Sequence, residues 1–157
     1  MNEQEETTIS EDVKHYFGFL FNRGFSIHSV KYIKQYMGYW EIVLKSIDCL
    51  IQISNDRGEI SLYLRPNFEE NNQIWFSINV VVFYLSKGKN FIGLFEGDLR
   101  DQNKQFQRLA QILGDYLDEI IPIMSKDFIT RKKNLLEATK VVDQLYIEKY
   151  RSSKKSP

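Results

Sequence analysis

A chain of 157 residues, 43% of them apolar and 14% aromatic, is most economically one domain with a substantial core. Charged residues make up 27% and cancel to a net charge of zero, which excludes a disordered chain and a broad nucleic-acid binder. The cancellation hides an asymmetry: residues 1–12 hold five acids and no base, and residues 126–157 hold nine bases against four acids.

Residues 1–9 read as a disordered acidic tail. They lack the basic and apolar regions of a secretory signal, so a cytoplasmic protein is expected. Thr8-Ile9-Ser10-Glu11 has the spacing of a capping box, and Val13, Phe17 and Leu20 then recur at helical intervals. That helix is expected to end near Asn22-Arg23, with Gly24 as its left-handed terminator. Residues 25–30 alternate and read as a first strand, whereas 31–37 suit either strand or a helical turn.

Residues 41–64 carry the strongest pattern. Ile42 and Leu44, then Cys49, Ile51 and Ile53, then Ile60, Leu62 and Leu64 all fall on alternate positions. This is the period of half-buried antiparallel strands. Asn55-Asp56-Arg57-Gly58 reads as a four-residue hairpin loop, which sets Ile53 opposite Ile60, Ile51 opposite Leu62 and Cys49 opposite Leu64. A two-residue turn at Ser46-Ile47 pairs Leu44 with Cys49, Ile42 with Ile51 and Lys45 with Asp48. On the opposite face this register aligns Val43, Leu50 and Tyr63 in one apolar row. Glu41, Gln52 and Ser61 lie on one side of the row and Lys45, Asp48 and Arg65 on the other. Such a row is expected to be covered by a later helix, tolerated as exposure, or used by a partner.

Arg65-Pro66 ends the sheet, because proline donates nothing to a ladder. Residues 68–73 are polar and loop-like. Residues 74–85 carry two signals. Val80, Val81 and Val82 favour strand, while Ser77 as a cap with Ile78, Val81, Val82 and Leu85 at helical spacing favours helix, and helix is the reading adopted. Residues 91–97 form a glycine-broken aromatic loop. The helix at 99–121 has a stripe of Phe106, Leu109, Leu113, Tyr116, Leu117 and Ile120, with Asp98 as its cap and Pro122 as its stop or kink. A last helix at 129–150 places Leu135, Leu136, Val142, Leu145 and Tyr146 on its apolar side, and 151–157 are a basic tail. The expected fold is therefore α+β over residues 10–150. It has an N-terminal helix, an antiparallel meander sheet of three to four strands, and two to three C-terminal helices.

Catalytic and metal-binding motifs are sparse. His15 and His28 stand at no ligating spacing, and with one cysteine no four-ligand Cys/His zinc site and no intrachain disulfide can form. Cys49 lies on the apolar side of a strand and reads as a small core residue. There is no phosphate-binding glycine loop and no serine in a nucleophile elbow, so no cofactor is expected. Asp115, Asp118 and Glu119 on one helix read as a solvated face; an enzyme would have to gather Asp98, Asp115 or Glu119 in a concave pocket. Tyr32, Tyr36, Tyr39 and Trp40 interleave with Lys31 and Lys34, but core packing accounts for them and no nucleic-acid partner is expected. No apolar run reaches the length of a membrane span.

The helix ending in Arg23-Gly24-Phe25, the hairpin around Asn55-Asp56-Arg57-Gly58 and the long helix carrying Leu113-Gly114-Asp115-Tyr116-Leu117 together resemble small bacterial proteins. Some of these are grouped with the immunity proteins of polymorphic toxin systems. The likeness spans residues 10–124 and implies a cytoplasmic, non-enzymatic protein that binds and neutralises a toxin. It carries over no functional residue. The expectation is thus a protein-binding module, with Tyr63, Arg65 and Trp75 as anchors and Val43 and Leu50 as an apolar floor. The alternatives are a self-associating structural protein, such as a homodimer, and an enzyme with a carboxylate/Tyr site.

Overall fold

Period-two alternation through residues 39–66 puts one oily and one mixed side on a sheet, and the rest of the chain packs on the oily side. The structure, a computed structural model, describes residues 3–68, 74–90 and 101–155. Two N-terminal helices, α1 (Glu3–Tyr16) and α2 (Gly18–Phe21), precede strand β1 (Ser26–Ile33) and a 3₁₀ turn (Lys34–Tyr36). Strands β2 (Tyr39–Lys45), β3 (Cys49–Asp56), β4 (Glu59–Pro66) and β5 (Phe76–Ser77) follow, then helices α3 (Ile78–Leu85), α4 (Gln102–Ile123) and α5 (Phe128–Lys155). The α+β class is as expected. The sheet, however, has five antiparallel strands in sequential order, not three or four. The extra strand, β5, is two residues long, too short to show any alternation.

The N-terminal segment is more helical than its composition suggests. Helix α1 begins at Glu3, so Thr8 lies inside it and the capping box is not formed. Thr7, Thr8 and Ser10 instead donate to the carbonyls of Glu3, Gln4 and Glu6, four residues back, at 2.8, 3.0 and 2.9 Å. Glu3, Glu5 and Glu6 in the first turn complement the positive end of the helix dipole. Gly24 does take the left-handed conformation expected of it, with φ of 88°.

Both hairpins of the meander are displaced by two residues from the expected register. Ile53 pairs with Leu62, Ile51 with Leu64 and Cys49 with Pro66, because the β3–β4 loop is only Arg57-Gly58. Both loop residues have positive φ, 56° and 89°, and this turn's twist matches that of the flanking strands. Asn55 reinforces it, its Oδ1 accepting from the Gly58 N–H at 2.8 Å. On the other side Ile42 pairs with Ile53, Leu44 with Ile51 and Lys45 with Leu50, so Lys45 does not face Asp48. The turn sits one residue later than expected, on Ile47-Asp48: the Ser46 N–H donates to the Cys49 carbonyl at 3.0 Å across it, and the Ser46 hydroxyl accepts from the N–H groups of Asp48 and Cys49. Since each slip is even, every side chain keeps its assigned face.

The inner face, with Ile42, Leu44, Ile51, Ile53, Leu62 and Leu64, merges with buried residues of all five helices into one core. Phe17 and Leu20 come from the N-terminal pair, and Phe106, Leu109 and Leu113 from α4. Ser77 caps α3 as expected, accepting from the Val80 N–H at 3.3 Å, so residues 78–85 are helical. Asp101 caps α4, accepting from the Lys104 N–H at 3.1 Å. Pro122 sits inside the last turn of α4, which continues to Ile123. Helix α5 begins at Phe128 and runs through most of the expected basic tail to Lys155. Segment 91–97, Asp98 and Leu99 lie outside the described residues, as do 69–73.

Gln105 ties α4 to the sheet. It is buried, donates from Nε2 to the Gly58 carbonyl and accepts at Oε1 from the Ile60 N–H, both at 2.8 Å. Both bonds fall on the β3–β4 hairpin, so the helix holds that end of the sheet in place.

Candidate functional site

No described helix lies against the outer face of the sheet: the buried residues of all five helices belong to the inner-face core. The register sorts the outer face into rows across the strands. One holds Asp56 and Glu59, and the next holds Lys31, Glu41, Ser54 and Ser61. A third holds Ser29, Val43, Gln52, Tyr63 and Ser77. The last holds Ser26, Lys45, Leu50 and Arg65. With about 7 Å between rows, the outermost two are roughly 20 Å apart. The Asp56–Glu59 end is thus acidic and the Lys45–Arg65 end basic, with Lys31 and Glu41 offsetting one another between them.

This arrangement corrects the expected apolar row. Val43 and Tyr63 share a row but are separated by Gln52, and Leu50 lies in the next row between Lys45 and Arg65. The two-residue slip moved each strand by one row relative to its neighbour. Val43 and Leu50 are 9% and 5% exposed although neither belongs to the core cluster that the helices share. Arg65, paired with Leu50, stacks on Trp75, with its guanidinium carbon 5.2 Å from the ring centroid. Arg65, Trp75 and Tyr63 are half-buried, so each has surface left to offer.

The acidic end is built from Tyr39, Glu41, Gln52, Asp56 and Glu59, none of them among the expected anchors. Tyr39 Oη donates to Glu41 Oε2 at 2.8 Å, and Gln52 Nε2 donates to the same oxygen at 2.9 Å. Burial, then the bond to Glu41, pushes the Tyr39 phenol up to about 12. Asp56 and Glu59 close the hairpin directly opposite one another, a destabilising like-charge placement. Burial, and secondarily Asp56, raises the Glu59 carboxyl above its ordinary value. Arg57 offsets this slightly, with its Nε 3.7 Å from Asp56 Oδ1 on exposed side chains. The sequence did hold a signal for this pair. A glycine in second place after Arg57 marks a two-residue hairpin loop, and that loop places Asp56 against Glu59.

Two clefts meet along β4. One of about 440 Å³ lies on the outer face and is lined by Tyr39, Gln52, Asp56, Glu59, Tyr63 and Trp75, with Ser54 and Ser61 between them. The other, about 370 Å³, wraps the free side of β4. Its apolar lining includes Ile60, Leu62, Val80, Leu109 and Val142. Both clefts include Glu59, Ser61, Tyr63 and Trp75, so they form one continuous groove.

The other candidates resolve into structural roles. Cys49 is fully buried, and burial pushes its thiol up to about 12, away from the thiolate needed for reactivity. Trp40 is buried and stacks on Phe106 at 6.1 Å, so it is no platform for a nucleic-acid base. Asp118 pairs with Arg23 at 2.7 Å, and Asp115 accepts from Gln111 in its own helix. Asp98 lies outside the described residues. Among the described residues no group of three or more His, Cys, Asp or Glu side chains is arranged to hold a metal. No described helix is long and apolar enough to cross a membrane. No family model, curated protein or solved structure matches the chain.

Proposed function

We propose that this protein is a non-catalytic binding module whose outer sheet face docks a protein partner, and that its mechanism is occlusion. The most concrete version is an immunity protein that covers the working surface of a toxin domain in the cytoplasm. The observation that carries the reading is the Arg65–Trp75 stack beside Tyr63, above a shielded apolar floor on a face with no described helix over it. Arginine, tryptophan and tyrosine are the side chains that most often dominate binding energy, because each brings large contact area with a directional polar group. The rows extend roughly 20 Å along the strands over five strands. With strands about 4.8 Å apart this is a face of roughly 400–500 Å² in plan, so its rim would have to contribute as well to reach the about 800 Å² per partner of a standard complex.

The test is affinity capture from the native host with the tagged full chain and with its Tyr63→Ala and Arg65→Ala variants. A species held by the native chain and lost from both variants, at nearly unchanged melting temperatures, supports the reading. Co-expression with the captured species then asks whether the chain neutralises its toxicity. Equal capture by all three chains overturns the choice of face. Unfolding of Tyr63→Ala would place that side chain in the core instead. Light scattering of the chain alone at two concentrations separates a foreign occupant from a second copy.

A further inference from the structure

An open sheet of five strands has two edges. The β4 side is closed: Leu64 pairs with Phe76 of β5, the Ile60 N–H bonds to Gln105, and Ile60 and Leu62 are 3% and 1% exposed. The other edge is β1. It is eight residues long, contains no proline, and none of its residues is buried.

The direction of its backbone groups follows from the turns. The Ser46 N–H donates to the Cys49 carbonyl across the β2–β3 turn, so these two residues are a hydrogen-bonded pair. Alternation then sends the backbone groups of Ile42 and Leu44 toward β3, and those of Glu41 and Val43 toward β1. Glu41 and Val43 pair there with Lys31 and Ser29. Val30, between them, therefore turns its N–H and C=O away from the sheet, and no described hydrogen bond reaches either group. The strand carries two devices that blunt edges, a bulge and a lysine. Neither blocks this stretch. The bulge lies between Ile27 and Ser29, so residues 29–33 keep a regular register. Lys31 belongs to the outer-face row of Glu41 and does not point along the edge.

We infer that β1 pairs antiparallel with β1 of a second copy about a two-fold axis, joining two sheets into one of ten strands. Val30 lies opposite Val30 of the second copy, where each supplies the donor and acceptor the other lacks. Charge selects this register. It sets Lys31 opposite Ser29 of the second copy, whereas an axis centred on Lys31 would set two lysines face to face. The axis also reverses strand direction, so the acidic end of one outer face lies alongside the basic end of the other. The joined face is roughly twice the single one, about the 800 Å² that a standard partner covers. The pairing itself does not depend on what docks there.

Sedimentation of the full-length chain over a hundredfold range of concentration tests it. The native chain is expected to pass from monomer to dimer. Val30→Pro removes an outward donor, which an edge strand tolerates, and should hold the chain monomeric with a melting temperature close to native. Ser29 is exposed, so its substitution spares the core. Ser29→Lys, set against Lys31 of the second copy, should weaken the dimer at least tenfold, and Ser29→Glu should tighten it. These two variants decide the matter if Val30→Pro fails to fold. A monomer at every concentration, a dimer that Val30→Pro and Ser29→Lys leave intact, or equal effects of Ser29→Lys and Ser29→Glu overturn the pairing. A dimer lost in Arg65→Ala but kept in Val30→Pro also overturns it and places the second copy on the outer face. Loss of a captured foreign protein from Tyr63→Ala and Arg65→Ala bears on the docking reading alone.

Discussion

Two influences, partial burial and the facing Asp56, oppose ionisation of Glu59. Its carboxyl is raised relative to the unfolded chain, so the folded state binds this proton more tightly. The sign follows: ionised Glu59 costs folding stability at neutral pH, and that cost disappears as pH falls through its raised value. Glu59→Gln is therefore expected to melt above the native chain at pH 7. The gap should close as the pH is lowered to about 4, the ordinary carboxylate value. Thermal unfolding of the two chains at pH 7, 5 and 4 measures this, and a gap that widens on acidification would contradict it. Glu59 was legible in the sequence only as a strand residue. Its discomfort comes from one pairing, and that pairing depends on the length of the turn.

The β3–β4 hairpin shows how an element resolves a conflict that its residues pose. Alternation placed Ile53, Ile60 and Leu62 on one side, yet their partners depend on whether the loop takes two residues or four. The shorter loop requires Arg57 to adopt φ of 56°, where a non-glycine residue is strained by about 1 kcal/mol. The gains are a turn whose twist suits its strands, the Asn55–Gly58 bond, and the two bonds from buried Gln105. Arg57→Asn should keep this geometry with less strain, because Asn-Gly is the preferred pair for such a turn, and should stabilise the protein by about 0.5–1 kcal/mol. The lost Arg57–Asp56 contact subtracts little, since both side chains are exposed. Denaturant unfolding should show a higher midpoint with unchanged slope; a lower midpoint would mean that Arg57 does more than occupy the turn. Helix α1 makes the same point, because the spacing around Thr8 proposed a cap, whereas the helix starts at Glu3 and the hydroxyls of Thr7, Thr8 and Ser10 bond back to carbonyls within it.

Across the whole molecule, the two sides of one sheet differ in what covers them. Leu62 and Tyr63 are adjacent in β4, yet Leu62 is 1% exposed against the helices and Tyr63 looks onto the outer face. Leu62→Ala should cost about 2–5 kcal/mol, the loss from a cavity that packed helices cannot close. Tyr63→Ala should cost within about 1 kcal/mol. Chemical denaturation of both variants checks the contrast, and comparable losses would put Tyr63 in a second core. What the sequence determined by itself is the face of each residue in β2, β3 and β4, the long helix ending near Ile121, and the α+β class, whereas residues 78–85 carried a strand and a helix signal together. These follow from periods of two and 3.6, which survive a two-residue error in pairing. What only the tertiary structure decided is the pairing itself, the two-residue strand β5, the acidic and basic ends of the outer face, and the groove along β4. Those features depend on turn geometry and on Gln105, Phe76 and Trp75 arriving from distant segments. Local periodicity contains no information about such meetings, because it describes the direction a side chain points and not what stands opposite it.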